Sequence, residues 1–157
     1  MTPLTIYTAA SVRHMHAVRL FHEALRARIP GIRILDWTTK ATPPADLTSE
    51  QRRRWFDTEQ QGGQVYTFCR DACACADVVV YLGQSGQDAG VEVGIAAGAG
   101  VPVIGVRGPL EAPGLMLHGA VDVWCHDIHE ALCLLEELNG RYLKVRAFRD
   151  HICKGGK

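Results

Sequence analysis

The sequence has no excess of charge of either sign. Its 157 residues include 17 Lys and Arg and 17 Asp and Glu, which gives a formal net charge of zero. Broad electrostatic binding of nucleic acid or of an anionic membrane depends on an excess of basic residues. The composition therefore favours neither partner, although a small local anion site is compatible with it.

Long hydrophobic runs and an N-terminal targeting pattern are also lacking. No stretch approaches the roughly 20 apolar residues of a membrane-spanning helix, and residues 1–6 do not combine a basic segment with an apolar one. No Cys-x-x-Cys motif occurs, and a chain of this length can bury a core without disulfides. We therefore expect a cytoplasmic protein whose six cysteines are reduced. They are Cys69, Cys73, Cys75, Cys125, Cys133 and Cys153.

Five short apolar segments alternate with helical patterns. The segments predict strands at residues 4–8, 32–37, 76–82, 101–106 and 121–124. Helices are predicted at 12–29, from 48 to about 75 with an interruption at Gly62-Gly63, at 90–99 and at 127–143. This alternation predicts an α/β protein with a three-layer, Rossmann- or flavodoxin-like, five-stranded parallel sheet and helices on both faces. We expect one domain over residues 1–150 and a flexible basic tail at 151–157.

The segment from the third predicted strand to the fourth is the most informative for function. The strand at 76–82 leads into a Gly- and Ser-rich loop, and the next helix is predicted to begin near Gly90. Glycines allow close approach of a ligand, and a helix start favours an anion. Glu92 falls near this start, where the helix dipole would favour its ionised form. An ionised carboxylate in a cleft can attack an electrophilic sugar carbon, but an acidic residue at a helix start is also common without any such role.

Four segments resemble the nucleoside 2-deoxyribosyltransferase family, which includes the 2'-deoxynucleoside 5'-phosphate N-hydrolases. They are residues 6–11 (IYTAAS), 77–80 (DVVV), 90–96 (GVEVGIA) and 101–104 (VPVI). The resemblance follows chain order over about two thirds of the sequence. It implies the same fold and an enzyme that cleaves or exchanges the N-glycosidic bond of a 2'-deoxynucleoside or its 5'-monophosphate. It also implies a homo-oligomer and chemistry that needs neither a metal nor an organic cofactor.

The same resemblance implies roles for individual residues. Glu92 matches the nucleophile that takes the deoxyribose C1', and Tyr7 matches the aromatic residue beside it. The candidate substrate-binding residues are Ala9, Ala10, Ser11, Trp37, Cys69, Ser85, Gly86, Asp88 and Gly90. Of these, the residues at 9–11 would line the base and sugar pocket, and Ser85, Gly86 and Asp88 would lie in the loop that meets the 5' end of the ligand.

Two positions depart from the family pattern. Cys69 stands where the family usually has an Asp that handles the proton of the base, and Asp71 lies about 200° round the helix from that position. Ala10 replaces a glycine of the first turn. Loss of a general acid commonly costs 10²–10⁴-fold in rate. An alternative is therefore a non-catalytic nucleotide-binding or sensor protein on the same fold, and a scaffold protein is a weaker one.

Several other cysteine, histidine, arginine and tryptophan residues are secondary candidates for a functional role. Cys125, His126, His129 and Cys133 are close in sequence, but their spacing matches no common zinc motif, and we expect no metal. His14 could reach a ligand from the first helix. One arginine of the run at 52–54 could reach a phosphate. Trp37 is a better candidate than Trp55 for stacking on a base, and packing is the alternative for both.

Overall fold

The computed structural model describes residues 3–55 and 59–140. The strands are β1 Thr5–Ala9, β2 Arg33–Leu35, β3 Val78–Leu82, β4 Val103–Val106 and β5 Val123–Cys125. The helices are α1 Met15–Arg28, α2 Ser49–Arg54, α3 Glu59–Cys75, α4 Gln87–Gly98, α5 Leu115–Ala120 and α6 Ile128–Gly140. The predicted domain limit at residue 150 and the predicted tail lie outside the described residues.

The five strands form one parallel sheet in the order β2-β1-β3-β4-β5. Strand order reverses between β1 and β3, because the chain leaves β1 toward β2 on one side and returns to β3 on the other. Ligands of such sheets bind beyond the carboxyl ends of the strands at this reversal. The predicted fold class is confirmed.

Helices cover both faces of the sheet. Helix α1 contacts α6, whereas α4 contacts both α3 and α5. All five residues of β3 are buried, as its unbroken apolar run predicts for a central parallel strand. Among the described helices, none combines the length and apolar character that crossing a bilayer requires.

Residues of β1 alternate between the two faces. The Thr8 hydroxyl lies 3.0 Å from Nε2 of His22 on α1. Tyr7, its neighbour in the strand, therefore points to the opposite face, where its hydroxyl meets α4. Both side chains are fully buried. The register of β1 thus decides that a tyrosine, and not the threonine, faces α4.

Local sequence signals explain several helix ends. Thr48 and Gln51 form a capping box at α2, with reciprocal bonds of 3.2 and 2.9 Å. Asp127 accepts the Glu130 amide at 2.8 Å at the start of α6. Gly31, which has a φ of 81°, allows the chain to turn from α1 into β2.

Three predicted boundaries are wrong. Helix α3 continues through Gly62 and Gly63 without interruption. Two helical glycines cost about 1 kcal/mol each, and burial of the apolar face around Ala72 and Cys73 outweighs this cost. Helix α4 begins at Gln87, three residues before the predicted start, so Glu92 lies in its second turn. Helix α5 occupies a segment largely predicted as loop.

Candidate active site

The Glu92 carboxylate contacts the Tyr7 hydroxyl near the place where strand order reverses between β1 and β3. Tyr7 donates a hydrogen bond of 2.5 Å to Oε1 of Glu92. The other carboxylate oxygen, Oε2, is buried and has no hydrogen-bond partner among the described residues. A buried acceptor without a partner is costly unless a ligand or water completes it. Tyr7 therefore holds one oxygen in place, and the other has no partner among the described residues.

Burial raises the pKa of the Glu92 carboxyl to about 7. The Tyr7 hydrogen bond and the nearby Cys69 thiol oppose this shift, and the negative charge of Asp88 adds to it. Burial also raises the pKa of the Tyr7 hydroxyl far above its usual range, so Tyr7 acts as a donor throughout the physiological range. We predicted that a helix start would keep Glu92 ionised. The structure shows that this reason is wrong, because Glu92 lies beyond the first turn and burial dominates.

The Cys69 thiol lies beside this pair. It projects from α3, is partly buried, and lies close enough to Tyr7 and Glu92 for these three groups to change one another's pKa. Burial raises the pKa of the Cys69 thiol to about 11, and Tyr7 and Glu92 shift it in opposite directions. The thiol is therefore protonated at neutral pH. Asp71 is exposed and paired with Arg70 at 2.8 Å, so it does not take the place of an acid here.

A cavity of about 430 Å³ opens over these groups, and we call it the Glu92 cavity. Its wall is largely apolar, and its volume suits a nucleoside-sized ligand. Trp37 is 3% exposed, follows β2 and donates from Nε1 to the Thr8 carbonyl at 2.8 Å. This bond fixes the indole ring at the cavity wall.

The structure brings together only part of the predicted site. Besides Glu92, the cavity is lined by four predicted residues: Ala10, Trp37, Cys69 and Asp88. Three others line a neighbouring groove: Ser11, Ser85 and Gly86. Ala9 is fully buried at the end of β1. Gly90 faces open space on the outside of α4, and neither it nor Ala9 lines the cavity or the groove.

The loops after β1 and β3 are joined by a short hydrogen-bonded connection. The Ser85 hydroxyl donates to the Leu82 carbonyl at 2.5 Å and accepts the Ser11 amide at 3.1 Å. It thereby links the loop after β3 to the loop after β1. Ser85 is itself one of the residues predicted to meet the 5' end of the ligand, and its two hydrogen bonds hold this part of the loop in place.

A second pair supports the loop after β3 from the side of β4. The Tyr81 hydroxyl donates to Glu111 and accepts the Ser85 amide at 3.2 Å. Glu111 also accepts the Gly108 amide at 3.1 Å. Gly83 is required here, since a side-chain carbon at this position would overlap the Glu111 carboxylate. The sequence analysis did not single out Glu111, because it lies in a segment predicted only as loop.

The sequence analysis also missed several residues of the cavity wall. They are Val12, Ala41, Gly62, Val65, Tyr66, Arg70, Val91 and Ile95. Helical spacing could have found part of this set. Ile95 stands three residues after Glu92, and Val65 stands four before Cys69, so each shares a helix face with a predicted site residue.

The secondary candidates fall elsewhere. Cys125 is buried at the end of β5, whereas His126 is exposed and paired with Glu130 at 3.0 Å. No metal-ligating cluster occurs among the described residues. Arg52 donates to backbone carbonyls of the loop that precedes α2, and Arg54 pairs with Glu50. His14 lines the groove.

Three solved structures have a similar architecture. A 2-deoxyribosyltransferase from the psychrotolerant bacterium Bacillus psychrosaccharolyticus matches with a TM-score of 0.63 and 16% identity, over 82% of this chain and 90% of that one. A Clostridium botulinum CMP N-glycosidase matches with a TM-score of 0.53 and 15% identity, over 84% and 98%. A conserved protein from Enterococcus faecalis V583 matches with a TM-score of 0.51 and 15% identity, over 87% and 88%.

This chain has the fold of these three proteins. No family sequence model matches it, and the comparison with curated proteins finds no match. The resemblance noted in the sequence is therefore confirmed at the level of the fold. Activity has to be argued from the site itself, because one fold can support different functions.

Proposed function

We propose that the chain cleaves or exchanges the N-glycosidic bond of a 2'-deoxynucleoside or its 5'-monophosphate, with Glu92 as nucleophile. The observation that carries the proposal is the Glu92 carboxylate itself. Tyr7 holds one of its oxygens, the other is buried and has no partner among the described residues, and Glu92 lines a nucleoside-sized cavity. Two structures of similar fold are a 2-deoxyribosyltransferase and a CMP N-glycosidase, which supports this class of chemistry.

The reaction would proceed in two displacements. The Glu92 carboxylate attacks C1' of the sugar, the C1'–N bond breaks, and its electron pair leaves with the base, which takes up a proton from solvent. Water or a second base then attacks C1', gives up its proton to solvent and releases the Glu92 carboxylate. The Tyr7 hydrogen bond orients the nucleophile during the first step. The Trp37 ring would form the wall against which the base or sugar packs.

The direct test is base release by Glu92→Gln, which keeps the shape of the side chain and removes the nucleophile. Free base would be measured by chromatography after incubation with each 2'-deoxynucleoside and each 5'-monophosphate. We expect the variant to lose at least 10³-fold in rate and to keep its affinity for ligand within a few-fold. Glu23→Gln, at an exposed position on α1, is the control and should match the wild type. Base release that survives Glu92→Gln would refute the assignment of the nucleophile.

A non-catalytic nucleotide sensor is the second candidate, and Cys69 is the observation that favours it. With a pKa of about 11, this thiol is a poor proton donor for a leaving base. On the catalytic proposal, Cys69→Asp should accelerate base release about tenfold or more at pH 6. On the sensor proposal, the wild type binds a nucleotide and releases no base from any substrate.

The assembly and location of the chain are parts of the same proposal. Tyr66 and Val91, at the rim of the cavity, are 58% and 57% exposed. Apolar side chains at the mouth of a site suit coverage by a second copy of the chain. We propose a cytoplasmic homo-oligomer, and light scattering of the purified protein would test its oligomeric state.

A further inference from the structure

A groove larger than the Glu92 cavity lies next to it along the carboxyl edge of the sheet. Its volume is about 1200 Å³. The two spaces adjoin at the turn after β1, where Ala10 and Val12 line the cavity and Ser11 lines the groove. The turn after β1 therefore borders both spaces.

Basic side chains line this groove in a protein of zero net charge. Arg13 and His14 enter it from the turn after β1, and Arg107 enters it directly after β4. Among the described residues, none of these three forms an ion pair. The guanidinium of Arg107 lies 5.0 Å from the centre of the Trp124 ring, which orients it without neutralising its charge.

The acidic groups at the groove are fewer and already engaged. Asp127, the carboxylate that lines it, accepts the Glu130 amide at the start of α6. Gly86 lines the groove directly before α4 and provides no side-chain cap, so the first amides of this helix are left as donors next to the groove. The balance of charge and donors favours an anion.

The groove is too long for one phosphate group. Its lining residues follow β1, β3, β4 and β5, which are four adjacent strands. Neighbouring strands lie about 4.8 Å apart, so the groove crosses roughly 15 Å of the sheet edge. Arg13 lies in the turn after β1 and Arg107 directly after β4, and the ends of these two strands are two intervals apart, about 10 Å. Several linked phosphates can reach both, whereas a monophosphate would contact one end only.

We propose that the groove binds the phosphate chain of a nucleoside 5'-diphosphate or 5'-triphosphate whose base and sugar occupy the Glu92 cavity. The inference rests on the proposed function for the placement of the sugar. It goes beyond that function because it assigns a longer phosphate chain to residues that take no part in breaking the glycosidic bond.

Binding of a graded ligand series tests the proposal. Calorimetry on Glu92→Gln, which cannot turn substrate over, would compare each 2'-deoxynucleoside with its mono-, di- and triphosphate in buffer without divalent cations. We expect the dissociation constant to fall at least tenfold from monophosphate to diphosphate. Arg107→Gln on the same background should abolish most of this gain and leave nucleoside binding unchanged.

Two further measurements make the result decisive. Arg33→Gln removes an exposed arginine at the opposite, amino edge of the sheet and should change nothing. Inorganic tripolyphosphate should compete with the triphosphate and not with the nucleoside. Equal affinity for mono-, di- and triphosphates, or a gain that survives Arg107→Gln, would overturn the proposal.

The outcome is separable from that of the proposed function. Base release from nucleosides by the wild type, together with no gain from added phosphates, would leave the function standing and remove the groove ligand. Tight triphosphate binding that depends on Arg107, together with no base release by the wild type, would support the groove and remove the catalytic role of Glu92.

Discussion

The Glu92 carboxyl is subject to two opposing requirements. Burial favours its neutral form and raises its pKa to about 7, whereas a nucleophile has to be ionised. The Tyr7 hydrogen bond favours the ionised form and limits the shift. Near neutral pH about half of the molecules would carry the reactive form. Strongly shifted carboxyls of this kind are common at functional sites.

The pH dependence of base release should therefore report Glu92. We expect kcat/KM for an unphosphorylated 2'-deoxynucleoside to rise with pH and to reach half of its plateau near pH 7, since this parameter follows the free enzyme. Asp88→Asn removes a negative charge that raises the pKa of Glu92, so the midpoint should move to lower pH. Asp46→Asn, at an exposed loop position, should leave it in place. A profile that is flat from pH 5 to 8 would contradict the assignment.

The loops that follow β1, β3 and β4 act together at the scale of elements. Ser85 connects the first two, and Tyr81 with Glu111 connects the second and third. Loops usually carry function on a rigid sheet, and here hydrogen bonds between loops extend that rigidity to the site. The arrangement predicts that ligand binding depends on these hydrogen bonds between loops, which lie outside the Glu92 cavity.

Tyr81→Phe tests this connection. The change removes the hydrogen bond to Glu111, a partly buried carboxylate, which should cost about 1–3 kcal/mol of folding free energy. It should also raise KM several-fold with a smaller effect on kcat, because the Ser85 loop loses one of its supports. Thermal unfolding and steady-state kinetics would measure both effects, with Thr67→Val as the hydroxyl-deletion control at an exposed position on α3. An unchanged KM would show that the pair does not position the loop.

At the scale of the whole molecule, the buried Glu92 carboxyl links stability to pH. Its pKa is about 7 in the folded protein and about 4.5 in the unfolded chain. The folded state therefore keeps a proton that the unfolded state releases between these values, and folding stability falls as pH rises through this window. The proposed nucleophile would thus lower folding stability, which is a common cost of activity.

Glu92→Gln should remove this pH-dependent loss. Its free energy of unfolding should be close to that of the wild type at pH 4.5 and about 3 kcal/mol higher at pH 8. Thermal unfolding across this range would measure the difference, and Glu23→Gln should show none. A variant that is less stable than the wild type at pH 8 would indicate that the carboxyl is not buried at a net cost.

The sequence predicted the fold well and the site in part. The unbroken apolar run of β3 and the strand–helix alternation are determined by local residues, so they were readable. The start of α4 could not be read from the sequence, because Gly86 offers no side-chain cap and the helix is rich in glycine and alanine. The contact of Tyr7 with Glu92 joins residues 85 positions apart and came from the family resemblance. The division between cavity and groove depends on side-chain packing, which periodicity does not encode.

The central claim is that Glu92 forms a covalent bond to C1', and product stereochemistry tests it most directly. Two displacements retain the anomeric configuration, whereas direct attack by water inverts it. The reaction would be run with methanol as acceptor, and the methyl 2-deoxyriboside formed would be examined by nuclear magnetic resonance. The account predicts the β-anomer, which matches the substrate. The α-anomer would contradict it and would make Glu92 a base that activates the acceptor.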